Sequence, residues 1–195
     1  MDCVAVWSRN FNKIINRYEH TVTAQFYGHT HADEFQLFFD PEDPTRPTNV
    51  AYIGPSVTPY YGLNPTYRIY TVSESSGQVV DHETWYLDLV KANGNPGVEP
   101  EWEKLYSAKK ALNLPSLSPE SWRDLVNQMK EDPELFEKFY FYYHAGSAER
   151  PYCDPICKTR IMCNLVSAQS HNSKETCKDF SQTWSFFDVS TWFSD

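Results

Sequence analysis

Two histidines in the run Gly28-His29-Thr30-His31 are the residues of this sequence best placed to do chemistry. Imidazoles two positions apart on a tight loop can each reach a different metal ion, with Gly28 permitting the turn and a close approach of backbone to ligand. Two metals about 3.5–4 Å apart hold a bridging hydroxide and clamp phosphate oxygens. Taken alone, the pair also reads as two partly exposed loop histidines, because a His-x-His spacing arises often by chance. Asp33 and Glu34 follow directly: one of them can accept a hydrogen bond from a ligand imidazole, or both are solvated at a loop edge. The second cluster is Cys153, Cys157, Cys163 and Cys177, four of the five cysteines. A dense, even set of this kind reads as two disulfides and an oxidising compartment. A zinc site is the rival, although only Cys153 and Cys157 keep the two-to-four-residue spacing usual for its ligands.

Several elements must position these groups. Trp7, Phe11, Ile14, Ile15 and Tyr18 fall on one helical stripe. The β-branched and aromatic run Thr21–Tyr27 predicts a strand ending at Gly28, and Glu34–Phe39 a second. A Pro-rich loop covers 40–47. Strands follow near Val50–Ile53, Tyr67–Val72 and Val79–Leu89, the last two joined as a hairpin through Ser73–Gly77. Composition shifts around 91–100, the best domain boundary, and from there the pattern predicts helices: Glu101–Leu112, Pro119–Lys130, Pro133–His144, Cys153–Ser167 and Lys174–Trp184. Ser118-Pro119 and Asp132-Pro133 are helix-start pairs. Phe136, Phe139, Tyr140 and Tyr143 share a helical face that reads as core, with Phe141 and Tyr142 left over for a modest lipid-facing role. His82 and His144, each a lone histidine beside aromatics, read as hydrogen-bonded structural residues. The fold class is α+β.

The net charge of −9 and the lack of a basic patch argue against a nucleic-acid partner. They are compatible with a protein working in acid, where carboxylates are neutralised. Thirteen Tyr, twelve Phe and six Trp exclude disorder as the main description. No run approaches the roughly 18 apolar residues of a transmembrane segment, and residues 1–7 do not form a signal peptide. Asn64-Pro65-Thr66 is excluded as a glycan acceptor by its proline. Disulfides without a secretion signal, together with a lone Cys3, lead to the expectation that residues are missing upstream.

The context of the histidine pair, Tyr27-Gly28-His29-Thr30-His31-Ala32-Asp33-Glu34-Phe35 after a helix and before strands, resembles the closing motif of the calcineurin-like metallophosphatases. Pro55-Ser56-Val57-Thr58, Gly62–Tyr70, Asp81–Thr84, Tyr142-Tyr143-His144 and the four-cysteine tail are similar to the acid sphingomyelinase branch, over nearly the whole chain to about Phe180. The resemblance implies that residues 1–90 are the C-terminal part of a metallophosphatase β-sandwich and 91–195 a disulfide-stapled helical domain. It implies zinc phosphodiesterase chemistry with two Zn2+ ions in the intact enzyme, sphingomyelin as substrate at a membrane lipid surface, and an extracellular or lysosomal location. His29 would ligate one zinc and His31 the other. Cys153–Cys157 and Cys163–Cys177 would be the disulfides, and Cys3 would pair upstream. Tyr60, at the rim of the implied cleft, would meet the phosphocholine head through its hydroxyl or its ring face, with turn packing as the plain alternative. The remaining metal ligands and the histidine that protonates the leaving group belong to motifs absent here, so no catalytic residue is present and the isolated chain is expected to be inactive and to bind zinc weakly. Two rivals stand beside this: a non-catalytic truncated or degenerate copy, and a sphingomyelinase-like phosphodiesterase acting on nucleotides.

Overall fold

The computed structural model describes residues 4–181. Helix α1 (Ala5–Arg17) leads into β1 (Gln25–Tyr27), then β2 (Glu34–Phe39) and β3 (Pro47–Ile53). These strands form one sheet in the order β1-β3-β2, with β1 parallel and β2 antiparallel to β3. Alternation along the central strand divides its side chains between two faces. Val50 and Tyr52 join Phe35 and Leu37 in the main core, whereas Ala51 and Ile53 join Phe38 beneath Ile15 of α1. A second sheet is an antiparallel meander of β4 (Thr66–Val72), β5 (Val79–Tyr86) and β6 (Glu103–Ser107). Helix α2 (Leu89–Gly94) connects β5 to β6, and α3 (Ala108–Ala111), α4 (Pro119–Glu131), α5 (Pro133–Tyr143), α6 (Pro155–Leu165), α7 (Ser173–Thr176) and α8 (Lys178–Ser181) follow. The architecture is therefore α+β.

The helix starts follow their sequence signals. Ser118 accepts a hydrogen bond from the Ser121 amide at the head of α4, and Asp132 accepts from the amides of Glu134 and Leu135 at the head of α5. Phe136, Phe139 and Tyr140 are buried, each contributing about 1.5–3 kcal/mol of hydrophobic stabilisation. Tyr143 is partly buried against this core. Disulfides join Cys153 to Cys157 and Cys163 to Cys177, each with 5.2 Å between Cα atoms.

Several expectations are corrected. Glu101–Leu112 is not one helix: β6 adds to the edge of β5 before the single turn of α3, because pairing with β5 sets its extended conformation, and Tyr106 from it reaches Asp33. The main core combines Phe35, Val50 and Val79 with Tyr106, Trp122 and Phe139. The strand expected from Thr21 begins only at Gln25. The tail helix expected over Lys174–Trp184 is split into α7 and α8, and its last residues lie outside those described, as does Cys3. Phe141 and Tyr142 are not left facing lipid, since Tyr142 stacks on Tyr106 at 4.1 Å and Arg150 lies over Phe141. Finally, the stripe of α1 faces mostly outward: Trp7 is 69% exposed, and Phe11, Ile14 and Tyr18 are exposed with it. The buried face of α1 is instead Ser8, Asn12 and Ile15.

Candidate functional site

The histidine loop leaves the end of β1, which is fixed by parallel pairing with the central β3, and returns into β2. Within this loop the left-handed backbone falls on the histidines themselves, at φ 94° for His29 and 64° for His31. Non-glycine residues in that region cost of order 1–3 kcal/mol each and persist only where the surroundings hold them, most often at functional sites. His29 is exposed and His31 half-buried. The ring of Tyr60 stands edge-on to His31 at 6.3 Å between centroids. Tyr60 opens a one-turn helix, Tyr60–Gly62, whose middle residue Tyr61 is also left-handed at φ 61°. Three neighbours pin this turn. Ser147 donates to the Gly62 carbonyl at 2.7 Å, Asn64 donates to the Ala145 carbonyl at 3.1 Å, and the Thr66 amide donates to the Ser56 carbonyl at 2.9 Å. An open groove beside the loop is lined by Gly28, Gly54, Val57, Tyr67 and Tyr70.

What holds the loop is the residue two positions after His31. Asp33 is not solvated at a loop edge. Its side chain is 4% exposed and forms an ion pair with Arg68, itself 3% exposed. The same carboxylate accepts hydrogen bonds from Thr84 Oγ1 and Tyr106 Oη, both at 2.7 Å, and the Asp33 amide donates to the Tyr143 carbonyl at 3.1 Å. Groups from β4, β5 and β6 thus converge on one carboxylate, joining the histidine loop to the second sheet, while α5 holds the Asp33 amide. Glu34 is buried as well.

The charges follow from that enclosure. Burial, the largest single influence, works to depress the Arg68 guanidinium, but the Asp33 carboxylate with Tyr106 and Tyr70 beside it together outweigh burial and hold Arg68 charged more firmly than in water. Burial, then the Asp33 charge, pushes the Tyr106 phenol well above its usual range, so it remains a donor. His82 lies within the same seam, its ring stacked at 6.1 Å on Trp122, and burial followed by the Arg68 charge depresses its pKa well below the ordinary value. It is neutral, and its Nδ1 finds no hydrogen-bond partner among the described residues. His144 caps α5, its Nδ1 3.2 Å from the Tyr140 carbonyl, and is also depressed by burial. Both histidines are structural.

As metal donors, His29 and His31 form a pair. Among the described residues no group of three or more histidine, cysteine or acidic side chains gathers as a metal site. Open catalytic zinc sites draw at least three protein ligands, more than this pair of histidines supplies. The four tail cysteines are consumed by disulfides. The Asp33–Arg68–Thr84–Tyr106 cluster had one readable signal in the sequence: strand alternation in β4 sets Arg68 on the inward face with Thr66 and Tyr70, against outward Tyr67 and Ile69.

Residues 46–186 match the family described as the acid sphingomyelin phosphodiesterase C-terminal region. The chain is 42% identical over 196 residues to sphingomyelin phosphodiesterase of Bos taurus, covering 98% of the chain and 31% of that protein. It is 43% identical over 180 residues to sphingomyelin phosphodiesterase of Homo sapiens, covering 90% of the chain and 28% of that protein. The cyclic GMP-AMP phosphodiesterase SMPDL3A of Mus musculus is 30% identical over 172 residues, covering 85% of the chain and 38% of that protein. The chain thus spans about a third of the length of these curated relatives.

Proposed function

This chain belongs to the acid sphingomyelin phosphodiesterase C-terminal family, and from that premise we propose that it is the C-terminal portion of a zinc-dependent sphingomyelin phosphodiesterase, hydrolysing sphingomyelin to ceramide and phosphocholine in the lysosome or outside the cell. The observation that carries the reading is the strained pair His29 and His31, seated by Asp33 and faced by Tyr60. In this reading His29 is a donor to one metal and His31 to the other, and the remaining donors lie in residues outside this sequence. A metal pair supplies an activated water and neutralises charge at phosphorus. The chain's own part is to fix the direction of the two imidazoles through the buried clamp, and to offer the Tyr60 ring to the quaternary ammonium of the head group. The exposed apolar stripe of α1 and the position of β1 at the edge of its sheet favour further residues packing there. The disulfides favour an oxidising compartment. Identity of 42–43% to sphingomyelin phosphodiesterases, against 30% to the cyclic GMP-AMP enzyme, favours the lipid over a nucleotide.

The test is to extend the reading frame upstream, express the longer polypeptide, and assay sphingomyelin beside a cyclic dinucleotide with bound zinc measured in parallel. The expected outcome is sphingomyelin hydrolysis with two zinc ions per chain, lowered at least about 100-fold by His29→Ala or His31→Ala, and no turnover by the 195-residue chain. A longer product that lacks further aspartate and histidine donors, or that hydrolyses only the nucleotide, overturns the proposal. The first of those results leaves the non-catalytic copy as the better account.

A further inference from the structure

Of the histidines among the described residues only His82 is buried, at 2% exposed. Aromatic rings close around it: Tyr106, Tyr70 and Tyr52 stand 5.7, 5.8 and 6.1 Å from its centroid, with Trp122 stacked on one face. A phenylalanine would suit such a cage better, because a neutral imidazole brings a donor and an acceptor that must both be answered once water is excluded. The His82 Nδ1 meets no hydrogen-bonding group of the described residues. Packing alone gives no account of a nitrogen there.

The space beside the ring does. A cavity with about 10 Å³ of room for the centre of a water molecule is lined by His82 together with Asp33, Arg68, Tyr106, Tyr52 and Trp122. That is room for about one water, and an internal water persists where two to four polar groups meet it. Arg68 brings such groups. Its side chain is 3% exposed, and of its five N–H donors one goes to Asp33, one to Thr84 Oγ1 at 3.4 Å and one to Tyr70 Oη at 3.3 Å, which leaves two for the cavity. The Tyr106 oxygen gives its proton to Asp33 and keeps a lone pair. Next to a guanidinium the acceptor form of Nδ1 is the favoured one, and a water that takes a hydrogen bond from Arg68 has its own protons to donate.

We infer that the seam holds one internal water, which accepts from an Arg68 N–H and donates to His82 Nδ1 and the Tyr106 oxygen, and that His82 is through this water a positioning residue for the histidine loop. Arg68 is the ion-pair partner of Asp33, and Asp33 stands two positions after His31. A bond that fixes the guanidinium therefore fixes the carboxylate, and with it the loop that carries both imidazoles. The inference rests on the reading above only for what that loop is for. The water and the seating are properties of the chain with or without a metal.

NMR of the 195-residue chain tests this without metal or turnover, so its failure is separable from any failure of the hydrolase reading. In the wild-type chain we expect a cross-relaxation peak between the His82 ring protons and a long-lived water, and a nitrogen shift typical of an unprotonated Nδ1. The variants are His82→Phe, which keeps a ring in the cage without Nδ1, and His82→Gln, which loses the ring but keeps a polar terminus for the water. Hydrogen exchange at the Asp33 amide, bonded to the Tyr143 carbonyl, reports the seat of the loop. Relative to the amides of α4, it should quicken about tenfold in His82→Phe and less than about threefold in His82→Gln. A side chain that merely fills space gives the reverse order. Absence of the cross-peak, a protonated Nδ1, wild-type exchange in His82→Phe, or exchange in His82→Gln as fast as in His82→Phe overturns the proposal.

Discussion

The seam between the two sheets and the outer flank of α1 pose opposite problems, and both are written in side chains of similar kinds. In the seam, a carboxylate that is costly to bury is answered on every side. Asp33 meets Arg68, Thr84, Tyr106 and an amide contact to Tyr143, and aromatic rings close over them. On the flank, apolar groups that gain from burial are left outside, while Ser8 and Asn12 point in. Hydrophobic periodicity says that a face asks for cover, but not which residues provide it. The histidine loop lies between these regions, fixed on the side of the seam and open on the other.

The contrast is broken most severely by removing one half of the buried ion pair. Arg68→Met should cost about 3–5 kcal/mol in urea unfolding, because the Asp33 carboxylate is left charged and enclosed. Adding Asp33→Asn should recover a large part of that loss. If the single substitution costs no more than an ordinary surface change, the seam is not what fixes the loop.

A smaller effect comes from His82. Its folded-state pKa lies below the unfolded value near 6.5, so below about pH 7 the unfolded chain takes up more protons than the folded one. Stability therefore falls on acidification, by up to about 1.4 kcal/mol per pH unit for this group. His82→Leu, which also removes the unpartnered Nδ1, should flatten urea midpoints measured between pH 7 and 5, leaving the shares due to His144 and His171. An unchanged slope would show that His82 escapes protonation by another route.

The smallest effect is expected on the flank. Trp7→Ser with Ile14→Ser should shift the stability of this chain by only about 0.5 kcal/mol each. In an upstream-extended polypeptide the same pair should cost about 2 kcal/mol or more if the stripe is covered there. Equal, small effects in both would mean that the stripe stays open.

Much of this was readable in the sequence for identifiable reasons. The helix starts at Ser118-Pro119 and Asp132-Pro133 are local capping chemistry, and the inward stripe of α5 is periodicity with a core to receive it. The hairpin through Ser73–Gly77 was equally local. The strand β6 was not, because its conformation is set by pairing with β5 rather than by its own residues. The burial of Asp33 was hidden for a related reason: a carboxylate beside two loop histidines looks solvated until three strands distant in sequence are brought to it. The outward turn of α1 was invisible since its pattern matches that of any covered helix.

The amide contact from Asp33 to the Tyr143 carbonyl carries a consequence for how the polypeptide is made. On the ribosome, His29 and His31 emerge long before α5 exists, so their seat stays unfinished until the chain has been synthesised past Tyr143. A stop codon shortly before Tyr143 would spare both imidazoles and still yield a product that a protease should clear, which makes the α5 codons as sensitive to nonsense mutation as the histidine codons themselves.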